Sequence, residues 1–208
     1  METMTSTKQF SAPRGAVSSG TLRFLDGVCN VRIRSDRDMD DLFRARFEGK
    51  VPRVEAVDGI VTVSYRRPSG RGRWRQSGGE VVLNAMVPWT IEVRGGVLGL
   101  DADLTEICLE ALDIGSGVSK LDAALPLPTG DVGIRIGGGV SHLALHRPIG
   151  AAASVKVGGG ASQIRLDELR MGAVGGGIDW ATPGFDDADD RYEIRIGGGV
   201  SDVSFDAR

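Results

Sequence analysis

The sequence predicts an all-β protein, a β-solenoid or β-helix-like stack of short strands turned at glycine-rich corners. Three observations carry that prediction. One phrase recurs as LDIGSGVSKLDA (112–123), IRIGGGVSHLAL (134–145), VKVGGGASQIRL (155–166) and IRIGGGVSDVSF (194–205), with weaker copies at IEVRGGVLGLDA (91–102) and MGAVGGGIDW (171–180). The last glycine of each copy falls at Gly96, Gly117, Gly139, Gly160, Gly177 and Gly199, in steps of 21, 22, 21, 17 and 22 residues. A sustained period of that length marks stacked units. Apolar residues alternate ahead of the glycines, as at Ile134 and Ile136 or Ile194 and Ile196, and a period of two means a strand with one buried face.

Each unit therefore reads as strand, sharp glycine corner, strand. Consecutive glycines permit positive φ and a tight bend, and they lack a Cβ that would block the neighbouring coil. The chain holds 31 glycines, and those of the phrase keep a fixed offset from β-branched flanks, which argues for ordered corners. GSGVSK (115–120) lacks the Gly-Lys-Ser/Thr ending of a phosphate loop. No triplet has the GxGxxG spacing and following helix of a dinucleotide site. No cofactor is expected.

Taken in order, residues 1–15 are small and polar and read as a flexible N-terminal tail. Residues 16–208 read as a single domain, less regular over 16–90 and regular over 91–208. Alternation starts at Leu22 and Phe24 and continues through Val28, Val31 and Ile33, with Arg32 and Arg34 projecting outward. RARFE (44–48), residues 54–57 and IVTVSY (60–65) form further short strands, with Asp58-Gly59 as a two-residue hairpin turn. The charged DRDMDDLF (36–43) is a loop or one helical turn. After the arginine-rich RRPSGRGRWRQSGG (66–79), strands resume at 81–87 and lead through Pro88-Trp89 into the first repeat. TPGFDDADDRYE (182–193) interrupts the rhythm as a protruding corner loop.

Length and charge set further bounds. A chain of 208 residues buries one full core. Its 25 basic and 28 acidic residues leave a net charge of −3, which supplies no bulk attraction to nucleic acid or anionic membrane. Cys29 and Cys108 sit in strand-like contexts and read as buried, reduced thiols. The N-terminus has no apolar signal region, and no apolar run reaches the ~18 residues that cross a bilayer. A soluble, cytoplasmic protein without a membrane segment is the expectation.

LDGVCNVRIRS (25–35), VPWTIEVRGGVLGLDADL (87–104) and LPTGDVGIRIGGGVSHLALHRPIGAAASVKVGGGASQIRLD (127–167) resemble the DUF4097-type putative adhesin proteins of the toast-rack group. The resemblance rests on Gly-Gly-Val corners and Arg-Pro-x-Gly turns and covers about residues 16–207. It implies a bacterial β-solenoid-like domain with no established catalytic motif. Some members are joined to membrane segments in cell-envelope stress regulators, and this chain shows no such segment.

Four groups of residues invite a chemical reading. His142 and His146 lie four apart in a strand phrase, which puts them on one face but about 13 Å apart, too far for one metal ion. Ser119, Ser141, Ser162 and Ser201 each follow a glycine corner by two residues and suit a ladder of hydroxyls capping the turns. Asp186, Asp187, Asp189 and Asp190 lack the layout of a calcium loop and read as a solvated loop that discourages edge pairing. Arg66, Arg67, Arg71, Arg73 and Arg75 surround Trp74, a set able to grip phosphates and stack on a base or an acidic peptide. That segment is the expected partner-binding site.

The expected function is a non-enzymatic structural scaffold or protein-interaction module, self-assembling through end strands because stacked units leave edges unless capped. A protein partner or a second copy is the expected ligand, and no small-molecule substrate is evident. Nucleic-acid or acidic-partner binding through residues 66–75 is the alternative. A carbohydrate-active β-helix enzyme is disfavoured by the short chain and its few insertions.

Overall fold

The computed structural model describes residues 7–65 and 78–208. Its first strands are β1 (Thr7–Pro13), β2 (Gly20–Phe24), β3 (Val28–Asp36), β4 (Asp41–Glu48), β5 (Arg53–Val57), β6 (Ile60–Ser64) and β7 (Gly78–Asn84). The repeats follow as β8 (Pro88–Val93), β9 (Val97–Asp103), β10 (Cys108–Ile114), β11 (Val118–Ala124), β12 (Asp131–Ile136) and β13 (Leu143–Arg147). The last are β14 (Ala152–Val157), β15 (Ala161–Leu166), β16 (Leu169–Val174), β17 (Ile178–Ala181), β18 (Arg191–Ile196) and β19 (Val200–Ala207). Among the described residues no helix is long and apolar enough to cross a membrane.

These strands form two open, mixed sheets. Sheet A runs β1-β4-β7-β3-β9-β11-β13-β19-β15-β16, and sheet B runs β17-β14-β18-β12-β10-β8-β2-β6-β5. Inward residues of both, such as Leu22, Ile33, Trp89, Leu121, Ile134, Tyr192 and Phe205, join one apolar cluster. A level of the molecule is a strand of sheet B, a glycine corner and a strand of sheet A. Levels pair in parallel, with Leu112 opposite Ile134, and Ile134 opposite Ile194.

The order of levels departs from chain order in two places. Level β18–β19 lies between β12–β13 and β14–β15, and level β2–β3 lies between β8–β9 and β6–β7. The last repeat phrase is therefore paired on both sides, so among the described residues the strands that end the sheets are β1, β5, β16 and β17. Residues 7–13, expected within a flexible tail, form β1 and pair antiparallel with β4. Residues 36–43, expected as a loop or helical turn, split between the end of β3, a short loop and the start of β4.

The 17-residue step has a physical cause. Leu166 pairs with Leu169 across a two-residue turn in which Asp167 takes φ 49°. The chain turns back within sheet A, so β16 is antiparallel to β15 and β17 to β14. The corner Gly175–Gly177 is consequently travelled from sheet A to sheet B, opposite to the others. The Asp58-Gly59 hairpin has φ 49° and 81°, as a two-residue turn with both central residues left-handed requires.

The corner glycines are needed for space, not for φ. Positive φ occurs at Asn30, Gly99, Gln163 and Asp202, each the third residue of the strand after a corner, and at none of the corner glycines. A Cβ on Gly95 would lie 2.4 Å from Gly27 N, one on Gly138 2.6 Å from Gly117 N, and one on Gly198 2.7 Å from Gly139 N. Hydrogen bonds run down the same column: Val28 N donates to Gly96 O (3.0 Å), Val97 N to Gly117 O (3.0 Å), Val118 N to Gly139 O (2.9 Å), Val140 N to Gly199 O (3.0 Å) and Val200 N to Gly160 O (2.9 Å).

Polar pins fix the opposite side. Buried Asn84 donates to the carbonyls of Met39 (2.6 Å) and Asp41 (2.8 Å), and Trp89 Nε1 donates to Asn84 O (2.8 Å). The Trp89 ring covers Gly20, where a Cβ would come within 2.6 Å of it. Tyr192 donates its hydroxyl to Pro126 O (2.6 Å), and burial raises its pKa.

Gly198→Ala is expected to lower stability by roughly 2–3 kcal/mol and the melting temperature by roughly 5–10 °C, because a backbone must move to admit the methyl. Gly172→Ala, on β16 with nothing within 4 Å of the added carbon, is expected to leave stability unchanged or slightly raised. Thermal melts of the two variants by circular dichroism check the contrast.

Candidate interaction surfaces

Apart from Asn84, Arg147 and Ser154 the buried positions of the strands are apolar, so the alternate positions carry most of the charge, and the corners hold neighbouring strands in register. On the outer face of sheet A one row runs Arg46, Glu80, Arg32, Asp101, Asp122 across β4, β7, β3, β9 and β11. Arg34 Nη1 donates to Asp101 Oδ1 (2.9 Å), and Arg32 Nε lies 3.9 Å from the other Asp101 oxygen. The Arg34 hydrogen bond holds the Asp101 carboxyl below the usual carboxylate range. Across these strands lies an open groove of about 740 Å³, lined by Asn30, Arg32, Arg46, Glu80, Lys120 and Asp122 over Gly78, Gly79 and Gly99.

Sheet B repeats the principle. Its outer row is Arg23, Glu92, Asp113, Arg135, Arg195, Lys156 and Asp179. Arg23 grips Glu92 with two bonds of 2.8 and 3.2 Å, and that hydrogen bonding lowers the Glu92 pKa. Arg135, Arg195 and Lys156 occupy adjacent strands, about 4.8 Å apart by sheet geometry. Each keeps an acidic neighbour: Asp113 at 3.6 Å, Glu193 at 2.7 Å and Asp179 at 3.5 Å.

The two histidines part company. His146 lies on β13 with its side chain 11% exposed, its Nδ1 2.6 Å from Asp206 and its Nε2 3.4 Å from Asp122. His142 precedes the strand in a bend, 3.5 Å from Asp202, with Nδ1 3.2 Å from Ser119 O. Ser201 Oγ donates to Ser141 O (3.2 Å), one rung between neighbouring levels. The acidic loop begins with a 3-10 turn, Phe185–Asp187, and is pinned where Asp190 accepts Gly130 N (2.6 Å) and Arg191 stacks on Phe185. Cys29 and Cys108 are half-buried and form no disulfide.

Arg147 was not singled out from sequence. It is 5% exposed, lies over the Phe205 ring and pairs with Asp167 at 2.5 Å. Among the described residues Arg147 Nε and Asp167 Oδ1 have no hydrogen-bond partner. The proposed partner site, Arg66, Arg67, Arg71, Arg73, Trp74 and Arg75, lies outside the described residues, in the connection between β6 and β7. The groove residues were also missed, although a signal existed. Aligned on the last glycine of each corner, Arg32, Asp101 and Asp122 are all the fifth residue on.

Asp167→Asn is expected to cost roughly 2–3 kcal/mol by leaving the Arg147 charge buried without its carboxylate, while asparagine keeps the left-handed turn. Arg147→Met should cost less, because the 28% exposed Asp167 can hydrate. Urea unfolding of both variants measures the difference. Glu92 and Asp101 titrate below their unfolded range, so their contribution is full above about pH 4.5 and is lost as pH falls through the lowered values. Both acids keep solvent contact, so Arg23→Gln with Arg34→Gln should flatten the acid side of a stability–pH profile by no more than about 1 kcal/mol.

No family model matches the sequence, nor does any curated protein. Among solved structures the fold is similar to that of a "putative cell adhesion protein" from Clostridium sporogenes, 18% identical, with a TM-score of 0.76 over 98% of this chain and 100% of that one. A "putative adhesin" of Bacteroides fragilis and another of Parabacteroides merdae align at 8% and 12% identity, with TM-scores of 0.36 and 0.31 over 98% and 95% of each chain. At 18% identity the first likeness is one of fold.

Proposed function

We propose that the protein is a non-enzymatic interaction scaffold, a solenoid-like stack whose outer sheet A face engages a protein partner. The observation that carries this reading is the groove over Gly78, Gly79 and Gly99, where charged side chains of both signs stand in cross-strand register. Each surface ion pair contributes little to stability, so opening it toward a partner costs little. The rigid spacing makes the pattern selective, since a partner must match charge at every strand. The shared fold with a bacterial protein described as a cell adhesion protein supports an adhesin-like role.

The test is surface-immobilised protein against a panel of purified cell-surface proteins, with acidic polysaccharides assayed in parallel for turnover. Saturable binding is expected, weakened at least tenfold by Arg46→Glu with Lys120→Glu at unchanged melting temperature. Turnover of a polysaccharide, or binding indifferent to both substitutions, would overturn the reading.

A further inference from the structure

The glycine corners carry information about what covers them. At each interior level a Cβ on a corner glycine would strike the backbone of a neighbouring corner, between 2.4 and 3.1 Å away, with Gly160, which faces the outermost corner, the exception at 3.4 Å. That contact explains why glycine is there. At the outermost corner the explanation fails, because among the described residues nothing lies within 4 Å of a Cβ on Gly175 or Gly176, and neither takes positive φ. Only Gly177 is held, against Val157 O at 2.7 Å on its inner side. Two glycines built for close backbone approach thus face outward at the end of the stack.

The strands beside that corner are open in the same direction. β16 ends sheet A and β17 ends sheet B, so both rows of edge amides and carbonyls terminate together. Met171, Val174 and Trp180 pack on the core from this end but stay half-exposed, and Leu169 is 44% exposed. The edge carries Arg170 and Asp179 as its charges, of opposite sign. The far end is defended differently: β5 presents Arg53 and Glu55, joined at 2.5 Å, and β1 closes on Pro13.

We infer that the β16–β17 end docks on the same end of a second copy of the chain, about a two-fold axis parallel to the strands. A covering partner must offer two strands joined by a glycine corner, which this chain offers itself. The axis keeps corner over corner and exchanges the two layers, so β16 lies antiparallel beside β17 of the second copy. That is the relation by which β16–β17 already rests on β14–β15, where Val157 opposes Ile178 and Ala161 opposes Val174. Inward residues stay inward, and Met171, Val174 and Trp180 of both copies close one continuous core. The contact is isologous and closed, so assembly stops at a dimer. It deepens the scaffold reading by naming one partner, and it leaves the outer face of sheet A free.

Light scattering on a size-exclusion column across a concentration series tests the pairing. The wild-type protein is expected to approach ~44 kDa, twice the 22.0 kDa chain. Gly176→Lys, whose side chain has open space in the monomer, is expected to stay at the monomer mass with an unchanged circular-dichroism spectrum, and to melt at the temperature the wild type reaches when diluted to the monomer. Corner stacking puts the two Gly176 Cα atoms about 5 Å apart, within disulfide reach. Gly176→Cys should therefore yield a cross-linked dimer on mild oxidation that the wild type does not. A monomer at every concentration, a dimer indifferent to Gly176→Lys, or no cross-link in a dimeric Gly176→Cys protein would each overturn the inference. Partner binding at the Arg46 and Lys120 face is read separately, so either proposal can fail alone.

Discussion

Glycine backbones lie directly on one another along the corner column, and the rest of the molecule follows from that approach. With Gly96, Gly117, Gly139, Gly199 and Gly160 in a line of carbonyls that each accept a valine amide, the strands on either side leave the corner in fixed register. Register decides which side chains face inward, because a slip of one residue would turn every strand over. It also decides which charges meet outside. The apolar core and the charge rows on both outer faces are two consequences of one crowded column.

The remainder of the fold is held by a few buried polar groups where the corners give no help. Asn84 ties the loop before β4 to the turn before β8, Tyr192 anchors the segment between β11 and β12, and Arg147 with Asp167 fixes the hairpin that reverses the chain. Asn84, Arg147, Asp167 and the Pro126 carbonyl that Tyr192 reaches lie at or just beyond the ends of sheet A strands away from the glycine corners, where backbone amides and carbonyls leave the ladder and need other partners. Tyr65, whose pKa burial pushes up to about 12, sits at the end of β6 with its amide donating to Asp26 Oδ2 (2.9 Å).

Strand content and corner position were legible in the sequence because both are local. Alternation around Ile134 and Ile194 gave the buried face, and the glycine offset gave the turn. The reason for the glycines was only half legible, since crowding depends on a neighbour distant in sequence and φ does not. The order of levels was not legible at all: IRIGGGVS at 134–141 and at 194–201 is the same text, and the two copies turn out to be adjacent. The shortened step to Gly177 did mark a break, but a reversal within one sheet and a simple loop shorten a period alike. Charge rows were visible residue by residue, as with Arg32 and Arg34. They gained meaning only once strands had neighbours.

The placing of β18–β19 between two earlier levels bears on how the chain reaches its native state. An ordinary repeat array grows by adding each unit to the previous one, and it unravels from its tips in the same way. Here β14–β15 has no inner neighbour until residues 191–207 are available, and β12–β13 waits on the same segment. At the opposite end β8–β9 rests on β2–β3, which also needs β6–β7 on its other flank. Pairings so distant along the chain slow the search for the native state. They also bind early and late segments into one clasp, so that the molecule opens as a whole or not at all.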